Sequence, residues 1–363
     1  MNERDRDAAP TTATDPLAQT AAELDEAAIA ELRAFTGEFE RRLAAAPPIE
    51  SVPVAESRAA GREGRGTIPP PVFLPQARDL FVAGRAVEIR LRALTPERNV
   101  RGIYLHLHGG GWVLGDCDLQ DPQLWELAQA TGLCVASVAY RLAPEQPYPA
   151  GADDCEDVAL WLLEHGPAEL EAPPLFAIGG ESAGAHLSIV TLLRLRDRHA
   201  ITGAFRAANL LYGFYDLSMT PSQRLWGDRR LPLTTTSIRW FADQYTPTLT
   251  DEQRRAPDVS PLYADLHELP PALFAVGALD PLLDDSLFMS QRWRAAGNEA
   301  QLTVYPEAPH GFIRFPVAAA RVCNEAQHTF LREQIFATGR TVIKHERPNE
   351  MTARNVARDD REV

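Results

Sequence analysis

A serine flanked by small residues, Gly180-Glu181-Ser182-Ala183-Gly184, follows an apolar run at 175–179 and precedes a helix-compatible stretch. G-x-S-x-G between a strand and a helix describes a nucleophile elbow, a tight turn that lifts one hydroxyl above the end of a sheet. The turn leaves no room for bulk beside the serine, which accounts for Gly180 and Gly184. Small residues around a serine also occur in ordinary loops, so the weight comes from a second motif. His108-Gly109-Gly110-Gly111-Trp112 closes another apolar run, at 103–107. Successive glycines present bare backbone N–H groups, the donors that a developing oxyanion requires. One motif supplies attack; the other stabilises the charge that attack creates.

A serine hydroxyl is a poor nucleophile at neutral pH and needs a base, and the base needs an orienting acid. In this architecture the chain order is serine, acid, histidine. Asp280 follows the apolar run 273–279, at the C-terminal end of a predicted strand, where functional groups collect in open α/β sheets. His310 stands in Ala308-Pro309-His310-Gly311-Phe312, a loop after a predicted strand at 301–305. The competing residues have plainer readings. His186, one turn into the helix after Ser182, reads as a packing or cap contact, His106 as a satisfied sheet residue, and His108 as a brace for the glycine loop. Asp284 and Asp285 open a helix, whose dipole stabilises carboxylates there. Asp153, Asp154, Glu156 and Asp157 read the same way, with no histidine beside them to suggest a metal site. Neither a metal nor a cofactor is expected.

These loops need a frame. A hairpin pattern at 79–82 and 86–94 is followed by apolar strands at 103–107, 135–140, 175–179, 209–212, 272–277 and 301–305. Helical patterns near 122–131 and at 153–165, 183–199, 284–296 and 317–336 alternate with them. Such alternation predicts the α/β class: a mostly parallel central sheet with helices on both faces. The catalytic body is expected over 77–213 and 263–337. An N-terminal helical cap segment and linker occupies 17–76, with helical spacing over 17–45 and a Pro/Gly/Arg-rich connection beyond. The aromatic-rich insertion 214–262, carrying Trp226, Trp240, Phe241 and Tyr245, reads as a second part of the cap. Residues 1–16 read as a disordered leader and 338–363 as a flexible tail.

The formal net charge of −14 over 363 residues disfavours nucleic acid and anionic membranes as partners. No stretch has the roughly 18 apolar residues of a membrane span, and the polar N-terminus does not resemble a secretory signal. Cys117, Cys134, Cys155 and Cys323 show no C-x-x-C spacing and are expected to be reduced in a cytoplasmic protein.

Five ordered motifs, His108-Gly109-Gly110-Gly111-Trp112, Tyr140-Arg141-Leu142-Ala143-Pro144-Glu145, Gly180-Glu181-Ser182-Ala183-Gly184, Asp280-Pro281-Leu282 and His310-Gly311-Phe312, together resemble the hormone-sensitive-lipase-like (family IV) esterases of the α/β-hydrolase fold. The resemblance spans about 79–336. It implies Ser182 as nucleophile, His310 as base, Asp280 as its orienter, and an oxyanion hole from the N–H groups of Gly110, Gly111 and Ala183. It also implies a cap made of N-terminal helices and a late insertion. His108, Gly109, Gly180, Glu181 and Gly184 support the two loops, and Trp112 and Tyr215 are expected to touch substrate. Glu181 stands where the family often has aspartate, and Ala185 where it commonly has glycine; neither change removes a reacting group.

The implied reaction is hydrolysis of short- to medium-chain acyl esters through an acyl-enzyme. The same residues would serve an amide deacetylase or a lactonase. A non-catalytic small-ligand-binding protein of the same fold is the alternative of another class; such relatives lose the histidine that is present here as His310. The expected partner is a small-molecule acyl ester, and the resemblance allows a homodimer through the last strand and helix.

Overall fold

The computed structural model describes residues 24–66 and 68–336, so the expected leader at 1–16 and tail at 338–363 lie outside the described residues. Strands β1 (Arg78–Ala83), β2 (Glu88–Leu94), β3 (Gly102–Leu107), β4 (Leu133–Val138), β5 (Phe176–Glu181), β6 (Phe205–Leu211), β7 (Ala272–Leu279) and β8 (Ala300–Pro309) form one sheet in the order β1-β2-β4-β3-β5-β6-β7-β8. The β1–β2 and β2–β4 pairings are antiparallel, and every later pairing is parallel. Parallel strands need crossovers, and the crossovers bring helices onto both faces. Ten helices are described: α1 (Glu26–Ala45), α2 (Val54–Arg62), α3 (Asp121–Thr131), α4 (Ala150–Glu164), the single turn α5 (Gly166–Glu169), α6 (Ala183–His199), α7 (Pro221–Leu225), α8 (Thr235–Tyr245), α9 (Leu283–Ala295) and α10 (Ala318–Phe336).

Strand alternation sorts the core into two layers. Ile103, Leu105, Leu107 and Ile178 point to one face, where they pack with buried residues of α4, α6 and α9. Tyr104, Val135, Ala177 and Ala207 point to the other, against Leu124 and Ala128 of α3 and Phe330 and Leu331 of α10. All six residues of β3, β4 and β5 are buried, which is why these segments read as unbroken apolar runs. Helix limits follow local chemistry. Gly132 ends α3 in the left-handed conformation at φ 75°, and Thr234 and Ser237 form a reciprocal capping box at the start of α8.

Two regions carry more structure than their composition suggests. The Pro/Gly/Arg-rich connection contains α2, which starts directly after Pro53 and meets a glycine, Gly61, only in its last turn. Arginine contacts then pin α2 to the glycine loop and to the segment 140–145. Arg58 donates to the carbonyls of Val113 (2.8 Å) and Ala143 (2.7 Å) and pairs with Glu145, while Arg62 pairs with Asp116 at 2.7 Å. The insertion 214–262 folds α7 and α8 and two short 3₁₀ turns, and only α8 was expected from its pattern.

Asp285, expected to open a helix, stands in the first turn of α9 and is buried beneath this insertion. Its carboxylate accepts from the backbone N–H groups of Tyr215 (2.7 Å) and Asp216 (3.0 Å), from Thr220 Oγ1 (2.8 Å) and from Gln223 Nε2 (2.6 Å). Both oxygens are taken, Oδ1 by the two backbone N–H groups and Oδ2 by the two side-chain donors. Asp285→Asn places an amide N–H against them and is expected to destabilise the chain by about 2–4 kcal/mol, with proteolysis beginning near residues 214–223. Denaturant unfolding and limited proteolysis check this; an unchanged midpoint would show that the insertion is held elsewhere.

Candidate active site

Ser182 occupies the turn between β5 and α6 with φ 54° and ψ −117°, a conformation that a non-glycine residue adopts only when its surroundings enforce it. Its N–H donates to Leu211 O at 2.9 Å, and its carbonyl accepts from His186 N at 3.1 Å. A Cβ on Gly184 would stand 1.8 Å from Leu107 O, and one on Gly180 would stand 1.9 Å from the same atom. The end of β3 therefore passes so close to the elbow that only glycine fits on either side of the serine.

Three chain-distant side chains meet at this turn. Asp280, at the C-terminal end of β7, is buried, and its Oδ2 accepts from His310 Nδ1 at 2.7 Å. Its Oδ1 accepts from the Leu282 N–H at 2.8 Å, which fixes the carboxylate plane. With Nδ1 carrying the proton, His310 Nε2 presents its lone pair to Ser182 Oγ at 3.1 Å. The Tyr212 ring stands edge-on to the imidazole, 4.9 Å between centroids.

The glycine loop lies across the elbow. Gly110 (φ 123°) and Gly111 (φ 61°) turn their N–H groups away from the chain, and a Cβ on Gly110 would be 2.1 Å from Leu114 O. Among the described residues, the N–H groups of Gly110, Gly111 and Ala183 donate to no protein acceptor. His108 does not face the serine. It stacks on Tyr140 with 4.2 Å between centroids, donates through Nδ1 to Gly109 O at 2.8 Å, and has its carbonyl held by Tyr140 Oη at 2.7 Å. Burial pulls its pKa down to about 4, so the ring is a neutral strut.

An α/β-hydrolase-fold family matches residues 104–314 of the chain. Over 266 residues the chain is 36% identical to the carboxylic ester hydrolase LipN of Mycobacterium tuberculosis, covering 72% of this chain and 70% of that protein. The chain belongs to the α/β-hydrolase family, in its hormone-sensitive-lipase-like branch. Similar solved structures include a hyperthermophilic esterase from the archaeon Pyrobaculum calidifontis, at TM-score 0.74 and 27% identity over 83% of this chain and 97% of that one. An esterase of the bacterial hormone-sensitive lipase family matches at TM-score 0.69 and 28% identity, over 86% of this chain and 99% of that one.

The elbow opens into a cavity of about 1060 Å³. Ser182, His310, Gly110 and Gly111 line it, together with Leu43 and Ile49 from the N-terminal segment and Leu233 and Phe241 from the insertion. Trp112 and Tyr215, expected to touch substrate, are not among its lining residues. Trp112 is 1% exposed, stacks on Tyr245 at 4.6 Å and donates from Nε1 to His186 Nδ1 at 3.2 Å. Tyr215 is fully buried against Phe274. Trp112 packs inward against α6 and α8, and Tyr215 against β7.

Several contacts around the site escaped the sequence reading. Glu181 is buried beside the serine, where its carboxylate accepts from His106 Nε2 (3.2 Å) and Gln120 Nε2 (3.4 Å), while His106 Nδ1 contacts Ser137 Oγ at 2.8 Å. Burial opposes its ionisation, yet His106, Gln120 and Arg314 outweigh that and hold it below the ordinary glutamate range. The motif position of Glu181 was the available signal; its partners come from β3 and the segment before α3, which no local pattern joins. Asp153 and Glu156, expected to be helix-start charge, bind the buried Arg194 at 2.9 and 3.3 Å. Asp258 of the insertion pairs with the same guanidinium at 2.6 Å.

His186 behaves as the sequence suggested. Its Nδ1 accepts from Trp112 and its Nε2 donates to Val259 O at 2.8 Å, so protonation would aim two N–H groups at each other. Burial accordingly pulls its pKa down to about 4. The folded value lies below the unfolded one, so the unfolded chain binds the proton more readily. The stability contribution is complete above the unfolded pKa and is lost as pH falls from about 6.5 towards the folded value, at about 1.4 kcal/mol per pH unit. His186→Gln is expected to be less stable at pH 7 but to lose stability less steeply over that window, as read by denaturant unfolding at stepped pH. An equally steep profile would show that His186 is not the titrating group.

Proposed function

We propose that the chain hydrolyses carboxylic esters with short to medium acyl chains, using Ser182 as nucleophile, His310 as general base and acid, and Asp280 to orient and stabilise the imidazolium. The observation that carries this reading is the line of contacts from Asp280 through His310 to Ser182 at a cavity wall, next to the Gly110, Gly111 and Ala183 N–H groups, which have no protein acceptor among the described residues. His310 Nε2 takes the hydroxyl proton as Ser182 Oγ bonds to the substrate carbonyl carbon. The Gly110, Gly111 and Ala183 N–H groups receive the resulting oxyanion. Collapse expels the alcohol, which takes the proton from His310, and an acyl-Ser182 ester remains. Water, deprotonated by His310, repeats the addition, and its collapse frees the acid and returns the proton to Ser182.

Esterase activity is also what the kinship with carboxylic ester hydrolases supports. The cavity walls from α1, the α1–α2 connection and the insertion support reading 17–76 and 214–262 as a two-part cap over the catalytic body. Two copies are further proposed to associate along β8, an edge strand paired on one side by β7. No helix among the described residues is long and apolar enough to cross a membrane. The four cysteines are unpaired and buried, which supports a reducing, cytoplasmic location.

p-Nitrophenyl esters of rising acyl length test the assignment. Ser182→Ala is expected to lower turnover by about 10⁴- to 10⁶-fold with an unchanged circular dichroism spectrum. Wild-type activity that survives in this variant would remove Ser182 from the mechanism.

A further inference from the structure

Arg314 lies in the 3₁₀ turn Phe312–Arg314, four positions after His310 in the chain, and lines the same cavity as Ser182 and His310. Its Nε is buried with no hydrogen-bond partner, and among the described residues its side chain makes neither a hydrogen bond nor an ion pair. The other arginines on the cavity wall are all engaged. Arg58 holds Glu145, Arg62 holds Asp116 and Asp118, Arg65 holds Glu63, and Arg230 donates to the carbonyls of Leu43 and Ala46. Glu181, the acidic residue beside the serine, acts on Arg314 at longer range, but its carboxylate is taken by His106 and Gln120. Tyr212 also acts on Arg314 electrostatically, and its ring lies against His310.

A buried guanidinium Nε without an acceptor is costly, and a methionine or leucine would fill the same wall at no electrostatic cost. The planar fork of arginine matches one ligand class best, a carboxylate, through two parallel N–H···O bonds. We propose that Arg314 is a specificity-determining residue that binds a carboxylate carried by the substrate, making esters with a free acid group the preferred class. The proposal rests on the esterase reading above. It also explains how a chain of net charge −14 would hold an anionic substrate: the attraction is local, from one cation on the cavity wall.

The carboxylate can sit on the acyl or on the alcohol side, and two isosteric pairs separate these. Monoethyl succinate is compared with ethyl succinamate for the acyl side, and 4-acetoxybenzoate with 4-acetoxybenzamide for the alcohol side, by pH-stat measurement of kcat/KM. In one of the pairs the wild type is expected to prefer the carboxylate by roughly 10- to 100-fold, and Arg314→Gln to abolish that preference. Arg314→Lys keeps the charge but not the fork; it retains a reduced preference if the carboxylate docks there and an unaltered one if it docks elsewhere. No carboxylate preference in either pair, or a preference that survives both substitutions, overturns the inference while leaving the esterase reading intact. A folded wild type inactive on all four compounds and on p-nitrophenyl esters would instead overturn the esterase reading itself.

Discussion

The close passage of β3 beneath the Ser182 turn is the constraint on which the rest of the site depends. Leu107 O lies where a Cβ on Gly180 or Gly184 would be, so the strand and the elbow lock against each other through bare backbone. That lock has two consequences. It holds Ser182 in a left-handed conformation that costs on the order of 1–3 kcal/mol, and so lifts the hydroxyl out of the sheet. It also brings the segment that continues from Leu107, the glycine loop, directly over the first turn of α6. The Ser182 hydroxyl and the glycine loop are adjacent because the two backbones are.

Such a turn survives only on a rigid base, and the base here is polar as well as apolar. Glu181, His106, Ser137 and Gln120 form a closed set of contacts under the elbow, linking β5 to β3, β4 and the approach to α3. His108 and Tyr140 stack to brace the loop above it. On the far side of α6, His186 joins Trp112 to Val259, so the glycine loop, the elbow helix and the insertion share one buried junction. Arg194 adds a second tie from α6 to α4 and to Asp258 of the insertion. The buried ionic groups are matched by several partners each, the condition under which desolvated charge is tolerable. Arg314 is the exception on the cavity wall.

Access is shaped by segments distant in the chain. Phe241 of α8 packs so tightly over Gly111 that a Cβ there would enter its ring. Arg230 of the insertion holds the last carbonyls of α1, and Arg229 pairs with Glu40 at 3.1 Å. Thr36 and Arg33 of the same helix bond to Glu307 near the end of β8, just before His310. The two walls over the cavity are thus fastened to each other and to the strand that delivers the histidine.

What the amino-acid sequence determined alone were the features encoded by short-range rules. Glycines at fixed offsets mark the elbow and the donor loop, and apolar runs of strand length alternating with helical spacing mark the mostly parallel sheet. Ser182, Asp280 and His310 are visible because each follows such a run at a strand end. Tertiary structure alone decided what depends on packing between distant segments. Trp112 and Tyr215 turn into the core because the buried side of their loops is set by α6, α8 and β7. Asp285 becomes an internal anchor because an insertion that begins some seventy residues earlier wraps over it. Glu181 finds His106 across a parallel strand pair, and Arg314 Nε is buried with no acceptor among the described residues. Spacing along a chain specifies which backbone conformations are open to it; which side chains then share a dry space is settled only when the sheet has closed, and that is where charge, burial and specificity arise.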